Sequence, residues 1–129
     1  KAGLVKAFQD VTAAWDSTGL CLFTSFAWSL ENVAPHMDSA CEGDWDADRL
    51  METGERIWNL ERDFNMRAGL TAADDTLPKR LLEEAANTGP AEGKVSGLAE
   101  MLPEYYKERG WRQDGNLSDE TRERLRLPG

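Results

Sequence analysis

Apolar residues recur at helical spacing in several stretches of the chain, and polar or glycine-bearing segments separate them. Leu4, Phe8, Val11 and Trp15 follow one another at intervals of four, three and four. This predicts an amphipathic helix over residues 2–15 with that stripe packed in a core, Val5 and Ala14 widening it. Lys6, Gln9 and Asp10 lie elsewhere on it, and Ser17-Thr18-Gly19 reads as its stop. Residues 22–31 are apolar and aromatic, too short for periodicity to decide, and the helical neighbours favour helix. Residues 32–45 turn polar around Pro35, Gly43 and a group of acids, which predicts a loop carrying the single histidine, His36.

The clearest helix spans residues 46–68, with Leu50, Ile57, Leu60 and Phe64 on one face and Met51 and Trp58 beside them. Asp44 or Asp46 suits its start and Gly69 the position past its end, while Glu52–Arg56 and Asp63–Arg67 read as solvated i,i+4 pairs. Residues 71–97 are irregular, with a short helix after Pro78, and a segment of that length typically wraps over a larger body. The doublets Asp74-Asp75 and Lys79-Arg80 read there as surface charge. A helix over 101–109 presents Leu102, Tyr105 and Tyr106, has Pro103 in its first turn and ends at Gly110. Ser118 caps a last helix reaching about Leu125, and Pro128-Gly129 reads as a C-terminus. The expected class is therefore all-α: one irregular multi-helix domain, 1–129, with long loops.

Composition narrows the possibilities. The chain is 40% hydrophobic, which suffices for a core, and its net charge of −9 disfavours nucleic acid and anionic lipid. No run approaches the ~18 apolar residues of a membrane span, and the start shows no signal peptide. The absence of an initiating Met hints that Lys1 is not a natural start. The two cysteines, Cys21 and Cys41, do not form a disulfide framework, and reduced thiols in a cytoplasmic setting are expected.

Chemistry concentrates in Asp16-Ser17-Thr18-Gly19-Leu20-Cys21, where a carboxylate, a glycine and a thiol stand beside the apolar run that follows. Asp16 must stay wet or accept hydrogen bonds from something specific, because burying it alone is costly. Gly19 permits positive φ or close approach to a bulky ligand, and a Cys21 thiolate suits iron–sulfur clusters, zinc or copper(I). On spacing alone, a helix end followed by a buried structural cysteine is the favoured reading. A zinc or copper site from Cys21, Cys41 and His36 lacks a fourth ligand and tight spacing. No His-Glu-x-x-His, Cys-x-x-Cys, Gly-rich phosphate loop or Ser nucleophile elbow is present.

Several ordered blocks resemble the C-terminal part of the tungsten-containing aldehyde:ferredoxin oxidoreductase family. They are Gly3-Leu4-Val5-Lys6 with Gln9-Asp10, the Asp16–Cys21 motif, Gly54 to Arg62 with Phe64-Asn65, and Asp74 to Glu84. Gly89-Pro90, Gly93-Lys94-Val95, and Met101-Leu102 through Tyr105-Tyr106 to Arg109-Gly110-Trp111 follow in the same order. Pro103 and residues 32–45 depart from the pattern. The resemblance implies a C-terminal piece of an enzyme that oxidises aldehydes to carboxylic acids and passes electrons to ferredoxin or another acceptor. Its implied cofactors are a tungsten (or molybdenum) bis-pterin and a [4Fe–4S] cluster. It further implies that Asp16, Gly19 and Leu20 contact a pterin, and that Cys21 ligates cluster iron and lies near the pterin. Cys41 would be structural, and no catalytic side chain is implied. A [4Fe–4S] cluster takes four cysteine ligands and this chain has two cysteines, so the others belong to an N-terminal remainder and the chain alone should be inactive. The alternative is a stand-alone all-α interaction module with exposed Trp and Tyr residues as its partner surface.

Overall fold

The computed structural model describes residues 1–128. The expected C-terminal Pro128-Gly129 and the proposed domain limit at 129 thus extend beyond the described residues. The architecture is helical: α1 (Ala2–Ser17), α2 (Leu30–Ala40), α3 (Ala47–Arg67), α4 (Lys79–Glu83), α5 (Leu98–Arg109) and α6 (Asp119–Arg124). Short 3₁₀ turns cover Leu22–Phe26 and Ala72–Asp74. Among the described residues the only extended pairings are two isolated bridges, Ala86 with Glu92 and Trp111 with Leu117. The all-α expectation holds.

Helix ends follow the local chemistry read in the sequence. The Asp46 carboxylate accepts the Arg49 N–H at 2.8 Å at the start of α3, and Ser118 Oγ accepts the Thr121 N–H at 3.1 Å at the start of α6. Gly110 closes α5 in the left-handed conformation at φ +68°, a geometry that favours glycine.

Two expectations about elements are corrected. Residues 32–45 are not a loop throughout, because α2 occupies Leu30–Ala40 and carries Pro35 and His36. Asn32 Oδ1 starts that helix by accepting the Ser29 N–H at 2.9 Å, and Leu30, Val33 and Ala34 are buried, so packing outweighs one proline. Residues 22–31 are not one helix: the 3₁₀ turn ends at Phe26 and α2 begins at Leu30.

The frame is α1 packed along α3, with α5 against α1 and α2 against α3. One core joins Ala14 and Trp15 of α1, Leu30, Val33 and Ala34 of α2, and Leu50 of α3. A second joins Tyr106, Trp111 and Leu117. The face expected to pack is only partly buried. Trp15 is 1% exposed, yet Leu4 and Phe8 are 64% and 65% exposed, and Leu60 and Phe64 on α3 are 46% and 71% exposed. The buried stripe of α1 carries Ala2, Asp10 and Ala14 instead, small or polar residues that let the two backbones approach at Gly54.

Candidate functional site

The loop that ends α1 is tied together by its own backbone and by one buried side chain. Thr18 N–H and Thr18 Oγ1 both donate to the Trp15 carbonyl, at 3.0 and 2.7 Å. Gly19 N–H donates to the Asp16 carbonyl at 3.3 Å, and Leu20 N–H to Thr18 Oγ1 at 3.2 Å. Gly19 takes φ +76°, and nothing lies within 4 Å of where a Cβ would stand, so the turn needs glycine and leaves open space beside it. The Cys21 carbonyl then accepts Thr24 N–H at 2.9 Å, Thr24 Oγ1 at 2.6 Å and the Trp15 indole N–H at 3.2 Å.

With the turn held in this way, the side chains of the motif face outward. Asp16, Leu20 and Cys21 are exposed, and the Cys21 thiol is free. The Asp16 carboxylate takes no hydrogen bond among the described residues and lines a groove of about 340 Å³ with Gln9, Thr12, Ile57, Trp58 and Glu61. Exposed Leu22, Phe23 and Phe26 follow directly. A buried structural cysteine, the reading that spacing alone favours, is not what the fold contains. Cys41 is likewise free and exposed, at the C-terminal end of α2. His36 stacks on Trp28 at 5.6 Å. Among the described residues no three His, Cys, Asp or Glu side chains are grouped so as to hold a metal, and no helix is long and apolar enough to cross a membrane.

Periodicity does not reveal the polar network that fixes α1. Arg109, fully buried on α5, donates to Asp10 Oδ1 and to Gln9 Oε1, each at 2.5 Å, and its guanidinium lies 5.3 Å from the Trp58 ring centroid. Tyr105 donates to Gln9 Oε1 at 2.7 Å, and the Trp58 indole to the Gln9 carbonyl at 2.7 Å. Lys6 bonds Asp10 at 2.9 Å and Glu55 at 3.1 Å, and Arg124 bonds Glu55 at 2.8 Å. Burial pushes the Glu55 carboxyl up, but its bonds to Arg124 and Lys6 outweigh this and hold it at about 2.

A neighbouring cluster ties the irregular segment to α3. Arg62 grips Asp75 with both nitrogens, at 2.7 and 2.6 Å, and donates to the Gly115 carbonyl at 2.9 Å. Tyr106 OH donates to the same Asp75, and burial with that bond pushes its phenol up to about 12. Asp75 and Asp63 are therefore not the surface charges their local sequence suggests. Asp63 is buried and bonded by Arg122 as well as by Arg67 at 3.0 Å. The partner surface of the interaction-module alternative loses Trp15, Tyr106 and Trp111, all buried.

Comparison with known proteins covers nearly the whole chain. Residues 1–127 match the family model of aldehyde ferredoxin oxidoreductase, domains 2 and 3. The tungsten-containing aldehyde ferredoxin oxidoreductase of Pyrococcus horikoshii is 46% identical over 128 residues, 98% of this chain and 21% of the relative. The Pyrococcus furiosus enzyme of that name is 48% identical over 126 residues, 97% of this chain and 21% of the relative. The Thermococcus kodakarensis enzyme is 46% identical over the same length. The chain spans about a fifth of the length of these curated relatives. With matched blocks running from the first helix to the last, the chain belongs to the aldehyde ferredoxin oxidoreductase family.

Proposed function

We propose that this chain is the part of an aldehyde:ferredoxin oxidoreductase-like enzyme that supplies one pterin-contacting motif and one thiolate of a [4Fe–4S] cluster. The parent enzyme would oxidise aldehydes to carboxylic acids and deliver the electrons to ferredoxin or another acceptor. The observation that carries this reading is a loop anchored by hydrogen bonds to the Trp15, Asp16 and Cys21 carbonyls while the Asp16 carboxylate and Cys21 thiol stand exposed and unpartnered. Polar groups held ready without a partner are what a site completed by another body requires.

The donor set fits the implied groups. A lone exposed thiol suits one iron ligand of a cluster whose other thiolates come from elsewhere. A carboxylate suits the N–H donors of a pterin, and the open space at Gly19 admits a flat ring. When bound, the tungsten or molybdenum bis-pterin and the cluster would supply the two-electron oxidation and the electron relay. This chain's own part is to hold them: Asp16 accepts from the pterin, Gly19 and Leu20 line its approach, and Cys21 Sγ binds iron as thiolate. Catalysis by this piece alone is not expected. The N-terminal remainder is the required partner, and the exposed Leu4, Phe8, Leu60 and Phe64 support a face covered by it. Exposed free thiols suit a reducing, cytoplasmic setting.

Asp16→Ala in the full-length enzyme tests the pterin contact. Losing one or two charge-assisted hydrogen bonds, each about 1.5–3 kcal/mol, should weaken retention of tungsten or molybdenum by about tenfold or more while iron stays bound. Metal analysis showing unchanged tungsten or molybdenum would overturn the assignment.

A further inference from the structure

We infer that Trp15 is a positioning residue for the Cys21 thiolate, acting through one hydrogen bond to its backbone. The inference rests on the proposed role of Cys21 as an iron ligand.

Trp15 touches the motif at both ends. Its carbonyl receives both donors of Thr18, and its indole N–H reaches six residues ahead to the Cys21 carbonyl at 3.2 Å. The loop bearing Asp16, Gly19 and Leu20 is thereby closed as a ring on a single residue. That residue is itself fixed: its side chain is 1% exposed and packs with Ala14, Leu30, Val33, Ala34 and Leu50. Thr24 makes the other two bonds to the Cys21 carbonyl, but Thr24 is exposed and belongs to the same short turn. The indole is thus the one donor that refers Cys21 to the core. A thiolate on a turn held only by local bonds moves with that turn, whereas one bonded to a packed indole keeps the register of α1 and α2.

The test is Trp15→Phe in the full-length enzyme, which deletes the donor and retains an aromatic ring of similar burial. Trp45→Phe is the matched control, since the Trp45 indole also donates to a backbone carbonyl, that of Glu42, at 3.2 Å. Amide hydrogen exchange over residues 18–27 of the metal-free protein should rise about fivefold in Trp15→Phe, the factor one ordinary hydrogen bond makes in an opening equilibrium. The cluster's EPR signal should broaden or shift in the same variant, and iron should be lost to a chelator several-fold faster. None of these three readouts should change in Trp45→Phe. An unaltered EPR signal and unaltered exchange in Trp15→Phe, with a cluster that Cys21→Ser destroys, would overturn this inference alone. A cluster indifferent to Cys21→Ser would overturn the ligand reading beneath it. If Trp15→Phe proves unstable, Thr24→Val with the indole retained gives the second arm. It should disturb exchange locally yet leave the EPR signal closer to the parent than Trp15→Phe does, and the reverse order would contradict the inference.

Discussion

Gly54→Ala is expected to be among the most damaging single-methyl additions in the chain. The new Cβ would stand 1.9 Å from the Asp10 carbonyl oxygen and 2.7 Å from its carbon. Both are backbone atoms of α1, so no side chain can swing aside, and α1 must move off α3. Overpacking typically costs 1–3 kcal/mol and sometimes more, and a backbone clash between the two main helices belongs at about 3 or above. Alanine returns about 1 kcal/mol of helix propensity, so the net loss is about 2 kcal/mol or more, a sizeable share of a typical domain's stability. Thermal unfolding of the enzyme carrying Gly54→Ala should show this segment's transition lowered by on the order of 10 °C. An unchanged midpoint would mean that α1 and α3 do not meet at that distance.

Asp10→Ala is expected to cost more than any one hydrogen bond. Arg109 is 0% exposed and Asp10 is its carboxylate, so the variant leaves a buried guanidinium without a counter-ion. Breaking one side of a buried pair typically costs 3–5 kcal/mol. The remaining partners, Gln9 and Tyr105, offer neutral oxygens and offset little of that. Replacing both members, Asp10→Leu with Arg109→Met, removes the stranded charge and should recover much of the stability, since apolar pairs of similar volume often match buried ion pairs. Chemical denaturation of Asp10→Ala and of the double variant checks this. A double variant as unstable as Asp10→Ala would show that packing around the pair, not its charge, matters most.

The sequence was informative where structure is set by neighbouring residues. The caps of α3, α5 and α6 depend on three or four adjacent positions, and they appear where Asp46, Gly110 and Ser118 place them. The turn at Gly19 was legible for the same reason. Residues 41–45 lie outside any helix as the sequence suggests, but residues 32–40 do not, because Pro35 and the acids speak for a loop while the burial of Leu30, Val33 and Ala34 against other elements decides for a helix. Periodicity identified the apolar stripe of α1 but not what covers it, so Leu4 and Phe8 were expected inside and lie outside. The Asp10–Arg109 and Arg62–Asp75 pairs join residues 99 and 13 positions apart in the chain, which no local pattern encodes. Within the site, the motif's residue types were visible, whereas the outward pose of Cys21 and its bond from Trp15 required the fold.

Low-temperature EPR of the reduced full-length enzyme decides whether Cys21 is an iron ligand. Cys21→Ser should abolish or markedly alter the [4Fe–4S] signal and lower the iron content, because a hard hydroxyl replaces a soft thiolate. Cys41→Ser, which changes the chain's other exposed free thiol, should leave the signal as it is in the parent. An unchanged signal with full iron in Cys21→Ser would mean that Cys21 does not bind the cluster.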